Sequence, residues 1–364
     1  MRRPRGRVGA ALVGVPFGAV IGLVIAVSVH TSSAPATGTM PTLPPTPALR
    51  SGPSGVSGPA GPSTAVACGA QTDQTWAASL ALSANAIYQG EEASTEVSND
   101  RRQVTASLAL ASAVAAGERA QARSAVISLV FTPHLHIVRL RAIRNGQVLA
   151  DVGAPLAIAP VTGTLTLYGH RVGRYVMSVQ DDVGYIKLVR RFIGVGVELS
   201  SGTRRLIGDP SPGPSPLPAS GTVRYQGTVD QVVSFAARGM PDVPIRVTLL
   251  VAPAPAPASL QALPCEQVEL RGAAHVAQRV APRFHLSSVD YSGYAEVLHQ
   301  LTGDLVFIRR GGQQLAGSMA NGPAPPAQDT LRFQGRRYDA LHFTAPASPA
   351  PVTVLLLQPA LSSS

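Results

Sequence analysis

Thr222-Val-Arg-Tyr-Gln-Gly227 recurs 108 residues later as Thr330-Leu-Arg-Phe-Gln-Gly335. The likeness extends both ways. Downstream, Phe235, Ala237 and Pro241 meet Phe343, Ala345 and Pro349. Upstream, residues 155–208 slide onto 264–317 at an offset of 109 without a gap: Pro155 on Pro264, Gly163 on Gly272, Arg174 on Arg283, Ser178 on Ser287. Asp181, Gly184 and Tyr185 fall on Asp290, Gly293 and Tyr294, and Gly194, Gly202, Leu206 and Gly208 on Gly303, Gly311, Leu315 and Gly317. One register held this long marks a duplication, so 264–359 reads as a partial repeat of 155–251. A weaker likeness joins Gly163-Thr-Leu-Thr-Leu-Tyr-Gly169 to Gly221-Thr-Val-Arg-Tyr-Gln-Gly227.

Around the repeat, hydrophobic periodicity changes once. From Asp73 to Phe131 it is helical: Trp76, Leu80, Ala84 and Ile87 recur at three and four, as do Val104, Leu108, Ala111 and Ala115. Asn99 and Asp100 read as caps of a second helix, and Gly117 as a break. After Pro133 the period is two. Ile137–Ile143 and Val148–Val152 flank Asn145-Gly146, a strong hairpin signal, and a second pair flanks Tyr168-Gly169-His170. Gly184–Phe192 turns helical; Asp181-Asp182 before it reads as its cap, with a cation site as the alternative, and five strands follow to Val251 around a Pro-rich loop at Pro210–Pro218.

These phrases resemble a family. Helices leading into His136-Ile-Val-Arg-Leu-Arg141 and Gly146-Gln-Val-Leu-Ala-Asp151 resemble the membrane-distal half of a double Cache domain, an extracytoplasmic sensor module related in fold to PAS. Val172-Gly-Arg-Tyr-Val-Met-Ser178 through Asp182-Val-Gly-Tyr-Ile-Lys187 looks like its later strands and the helix that links to the proximal half. The resemblance covers roughly 73–252 and implies an α+β fold: N-terminal helices followed by tandem PAS-like antiparallel sheets. The expected domains are a distal one at 68–183 and a second at 184–253. The family's amino-acid-binding branch carries an Arg-x-Trp-Tyr motif. The single tryptophan here is Trp76, on the first helix, so no amino-acid ligand is inferred.

The N-terminus carries Arg2, Arg3, Arg5 and Arg7 within residues 1–7, then 22 uncharged residues from Val8 to Val29. That run is long enough to span a bilayer, and the arginines favour a cytoplasmic N-terminus. Its length favours an uncleaved anchor at the cell membrane, with the bulk of the chain extracytoplasmic. The alternative is a secreted protein whose signal is cut near Ala34-Pro35-Ala36. Residues 30–67, almost all Ser, Thr, Pro, Gly and Ala, read as a stalk. Cys68 and Cys265 are the two cysteines. In an oxidising compartment such a pair is more often a disulfide than two free thiols.

The net charge is +10, of which four lie ahead of the hydrophobic run; no basic patch with interleaved aromatics follows, so nucleic acid is not an expected partner. No nucleophile elbow, His-Glu-x-x-His, phosphate loop or Cys-x-x-Cys occurs, so no enzyme and no cofactor are inferred. His134-Leu-His136 opens a strand with no third metal ligand nearby in sequence, so no metal site is read there. Arg139 and Arg141 alternate with Val138 and Leu140 and share one strand face. If that face lines a pocket, they and His136 are the candidate ligand-binding residues, able to hold a carboxylate; the alternative is a solvated face. Arg174, matched by Arg283, reads as structural. The chain reaches Ser364 with no second membrane helix or signalling domain, so the expected role is recognition of a small molecule, acting through a membrane receptor or envelope protein. A non-catalytic scaffold on the same fold is the alternative.

Overall fold

The computed structural model describes residues 67–209, 216–284, 291–318 and 330–360. The Val8–Val29 segment, residues 30–66 and part of the Pro-rich loop lie outside the described residues. Among the described residues no helix is long and apolar enough to cross a membrane.

Four helices come first: α1 (Thr72–Ala93), α2 (Thr95–Ala106), α3 (Leu108–Ala116) and α4 (Arg119–Val130). The caps are serines rather than Asn99 and Asp100. Ser94 accepts from the N–H of Val97 and Ser107 from that of Leu110, each meeting an otherwise orphan amide. Asn99 and Asp100 lie inside α2, where Asp100 is buried. Gly117 ends α3 at φ +80, the left-handed conformation that glycine adopts without a Cβ clash.

Strands follow: β1 (Arg139–Arg144), β2 (Gln147–Gly153), β3 (Ala157–Ile158), β4 (Val161–Leu167), β5 (His170–Ser178) and β6 (Gln180–Asp181). The β1–β2 and β4–β5 hairpins turn at Asn145-Gly146 and Tyr168-Gly169, all four with positive φ, as primed two-residue turns require. A first sheet orders β2-β1-β5-β4. Leu140, Ala142, Leu165, Tyr175 and Met177 pack on Val104, Leu110, Val114 and Val126 of α2–α4, forming one core.

Then come α5 (Asp182–Phe192), β7 (Gly196–Ser201), β8 (Arg204–Asp209), β9 (Gly221–Tyr225), β10 (Thr228–Met240) and β11 (Val243–Val251). Asp181 caps α5, accepting from Gly184 N–H at 2.6 Å. After the short α6 (Pro257–Gln261) and α7 (Cys265–Val280), the order repeats: α8 (Tyr291–Thr302), β12 (Leu305–Arg310), β13 (Gln313–Gly317), β14 (Thr330–Phe333), β15 (Arg336–Ala345) and β16 (Val352–Pro359). The second sheet runs β8-β7-β11-β10-β9 and the third β13-β12-β16-β15-β14, one topology twice. Even the irregularities coincide, with a register shift at Leu199/Ser200 in one copy and Ile308/Arg309 in the other. Gln226-Gly227 and Gln334-Gly335 are the two equivalent left-handed turns.

The repeat is therefore seen from α5 and α8 onward, and not before. Residues 155–181 form β3–β6, whereas 265–280 form helix α7. The reason is local. Where the first stretch has the turn Tyr168-Gly169-His170, the second has Ala277-Gln278-Arg279, and Ala273, Val276, Ala277 and Val280 recur at helical spacing. The structural partner of α7 is α1. Tyr185 of α5 donates to the carbonyl of Ala84 on α1 (2.9 Å), and its repeat counterpart Tyr294 of α8 donates to Ala277 on α7 (3.0 Å). Each late sheet thus has one long and one short helix, and α2–β6 lies between the two helices of the first copy. Accordingly α1 packs on β10 of the second sheet and on α7 and α8, while α7 packs on β15 and β16 of the third, and β3 and β6, within the expected distal domain, extend the second sheet through β10.

Cys68 and Cys265 are disulfide-bonded with Cα atoms 4.7 Å apart, at the N-termini of α1 and α7. From there the two helices run side by side. Ser79 donates to the Glu269 carbonyl at 3.0 Å, and a Cβ on Gly272 would come within 2.4 Å of the Ser79 hydroxyl, so glycine permits the approach. Trp76 sets its ring edge-on to His275 at 5.3 Å. A cross-link closing 197 residues of sequence is worth about 5 kcal/mol in chain entropy before strain is subtracted. Cys68→Ser, or reduction of the parent, should lower Tm by several degrees and expose one or two alkylatable thiols. An unchanged Tm on reduction would remove the disulfide from the account of stability.

Candidate functional site

Arg139 and Arg141 do share one face of β1, opposite Leu140 and Ala142, and that face is occupied by carboxylates of the protein itself. Asp151, paired across from Arg141 on β2, takes both guanidinium groups. Arg139 donates to its two oxygens at 2.8 and 2.9 Å, and Arg141 to one of them at 3.1 and 2.8 Å. The Nη1 groups reach further partners. Arg139 reaches the carbonyls of Ala154 and Pro155, and Arg141 reaches Asp242 in the β10–β11 turn at 2.5 Å. Burial works to raise the Asp151 pKa, but hydrogen bonds and charge from the two arginines outweigh it and hold the carboxyl below its ordinary range. The group formed by Arg139, Asp151, Arg141 and Asp242 spans two sheets. It is a junction tying the first sheet to the second, beside Ile143, Ala157, Val176 and Met240.

His136 is exposed, and its backbone N–H donates to the buried carboxylate of Asp100 at 2.9 Å. With His134, Glu96 and Asp100 it lines a cleft of about 280 Å³ on one flank of α2. Burial pushes the Asp100 pKa up, against the His136 N–H and the nearby imidazoles. Among the described residues no three His, Cys, Asp or Glu side chains are grouped to hold a metal. Arg174 is exposed on β5.

The larger cleft of the first sheet lies on its helical face, between α2 and the β4–β5 hairpin, with a volume of about 640 Å³. Its floor is Tyr175, fully buried and paired across strands with Gly163. A Cβ at Gly163 would fall 2.2–2.4 Å from the Tyr175 ring, so only glycine lets the ring lie over β4. The Tyr175 hydroxyl donates to the Arg101 carbonyl at 3.3 Å and lies 3.2 Å from the Thr105 hydroxyl, anchoring α2 over the sheet. Ser98, Arg101, Arg102 and Thr105 form the helical wall. Two guanidinium groups and two hydroxyls above an aromatic floor suit a small molecule with an anionic group and a flat or apolar body. Sequence reasoning passed over these residues, although their spacing of i, i+3, i+4 and i+7 marks a single polar stripe on α2.

No family model matches the sequence, and no curated protein does. Among solved structures, the ligand-binding domain of the Pseudomonas aeruginosa amino acid chemoreceptor PctC, in complex with GABA, is 14% identical over 50% of this chain and 99% of its own, with a TM-score of 0.28. The ligand-binding domain of the Pseudomonas fluorescens chemoreceptor CtaA, in complex with L-alanine, is 14% identical over 46% and 95%, with a TM-score of 0.26. The periplasmic domain of Vibrio cholerae LuxQ is 10% identical over 80% and 99%, with a TM-score of 0.15. None of these superposes closely enough to identify the chain with it.

Arg141→Ala should destabilise the protein by about 2–3 kcal/mol, since it leaves Asp151 and a buried site short of a cation; partial exposure of Asp151 keeps the cost below that of a fully buried pair. Arg174→Ala should stay within about 0.5 kcal/mol. Because the folded-state pKa of Asp151 is depressed, its contribution is complete above the unfolded pKa of about 3.9 and fades as pH falls through the folded value. Urea titrations should therefore show the Arg141→Ala deficit from neutral pH down to about pH 4 and a smaller one below. Equal effects of the two substitutions would contradict the junction.

Proposed function

We propose that the protein is a non-catalytic, membrane-tethered extracytoplasmic module that binds a small anionic molecule in the cleft between α2 and the β4–β5 hairpin and acts through a partner protein. The observation that carries this reading is the stripe Ser98, Arg101, Arg102 and Thr105 beside Tyr175, a shallow, open site with convergent polar groups at the edge of a sheet. The tether rests on Val8–Val29 and the arginines before it.

A thermal-shift and calorimetric screen of the purified protein against small carboxylates should yield a saturable ligand. Substituting both Arg101 and Arg102 by alanine should weaken it at least tenfold, because a charged hydrogen bond is worth about 1.5–3 kcal/mol. Both side chains are exposed, so Tm should hardly move and affinity should fall with added salt. Arg139→Ala should affect stability before affinity. Binding indifferent to Arg101 and Arg102 would overturn the site, and a screen without carboxylate ligands would favour the scaffold reading. For the tether, protease added to intact spheroplasts should degrade the chain beyond the stalk; full protection would refute the orientation.

A further inference from the structure

The duplication brings α5 and α8 together at the end of α1, and between them is a cleft of about 440 Å³. Its apolar walls come from equivalent positions of the two copies: Leu188 and Phe192 of α5, and Val297 and Leu301 of α8, each pair related by the offset of 109. Glu91 of α1 and Glu96 of α2 also line it, and none of its lining residues is Arg, Lys or His. Burial, with Glu96 adding to it, pushes the Glu91 pKa up to about 7. With its amide turned so that the oxygen accepts from Tyr185 N–H, Gln180 donates to Glu91 at 3.3 Å, a neutral partner that leaves the carboxylate charge uncompensated. A desolvated carboxylate at an apolar cleft gains most from a cation that brings its own apolar surface.

We propose that this cleft is a second binding site, for a small organic cation: a primary amine whose ammonium group sits on Glu91 and whose aliphatic or aromatic body lies between Leu188 and Phe192 on one side and Val297 and Leu301 on the other. It is separate from the α2–β4–β5 cleft and opposite to it in charge preference. The volume fits a ligand of that size, and both copies of the duplication are needed to build the walls.

The test is calorimetry on the purified full chain with phenethylamine, with 2-phenylethanol as the neutral analogue and 3-phenylpropionate as the anionic one. Saturable amine binding is expected, with the alcohol at least tenfold weaker and no binding of the acid that responds to Glu91. Glu91→Gln should weaken the amine at least tenfold, leave the alcohol unchanged and keep or raise Tm, since it removes a poorly solvated charge. Val297→Ala should weaken amine and alcohol alike. Alcohol binding as tight as amine binding, amine binding untouched by Glu91→Gln, or no amine binding would each overturn the proposal. None of these results bears on carboxylate binding at Arg101 and Arg102.

Discussion

Everything after residue 181 depends on the side-by-side packing of α1 and α7. The two helices start together at the Cys68–Cys265 disulfide, and Gly272 lets them close on Ser79. One side of the pair carries Trp76, Leu80, Ala84 and Ile87, the other Val268, Val276 and Val280, and all belong to one core. That core also takes the inner faces of both late sheets: Val197, Leu199, Val247 and Leu249 of the second, and Val306, Ile308, Val354 and Leu356 of the third. A helix pair shared by two sheets makes their stabilities interdependent. Tyr185 and Tyr294 join each short helix to its long one by a buried hydrogen bond, and such a bond is costly to break once desolvated.

The first sheet stands apart from this core. It has its own helices, α2–α4, and meets the rest of the molecule at the Arg139–Asp151–Arg141–Asp242 junction and along β3 and β6. Helix α2 lines both clefts: its first turn borders the α1–α5–α8 cleft, while Ser98, Arg101, Arg102 and Thr105 line the other. Ser94, the cap of α2, is the elbow between α1 and α2.

Much of the strand architecture was legible because turns are written locally. Asn145-Gly146 and Tyr168-Gly169 need left-handed backbone that few residues adopt, so they marked two hairpins. The alternation along β1 correctly placed Arg139 and Arg141 opposite Leu140. Which face meets a cavity is a tertiary matter: Asp151 lies 10 residues beyond Arg141 and Asp242 lies 101 beyond it, and both bind the arginine face. The leading half of the repeat misled for a related reason. Matches such as Gly163 with Gly272 reflect two unrelated close approaches, one to Tyr175 in a strand and one to Ser79 between helices. The polar stripe of α2 was readable, but its meaning depended on the floor that Gly163 and Tyr175 provide.

If α1 and α7 make the second and third sheets one cooperative unit, native-state hydrogen exchange on Leu80→Ala should reveal it. Leu80 is 2% exposed in the shared core, so the substitution should cost about 2–5 kcal/mol. The account predicts that amides of β11 in the second sheet and β16 in the third lose protection by the same amount, while the hydrogen-bonded amides of β1 and β5 in the first sheet lose less. Loss confined to the second sheet, with β16 unchanged, would contradict it.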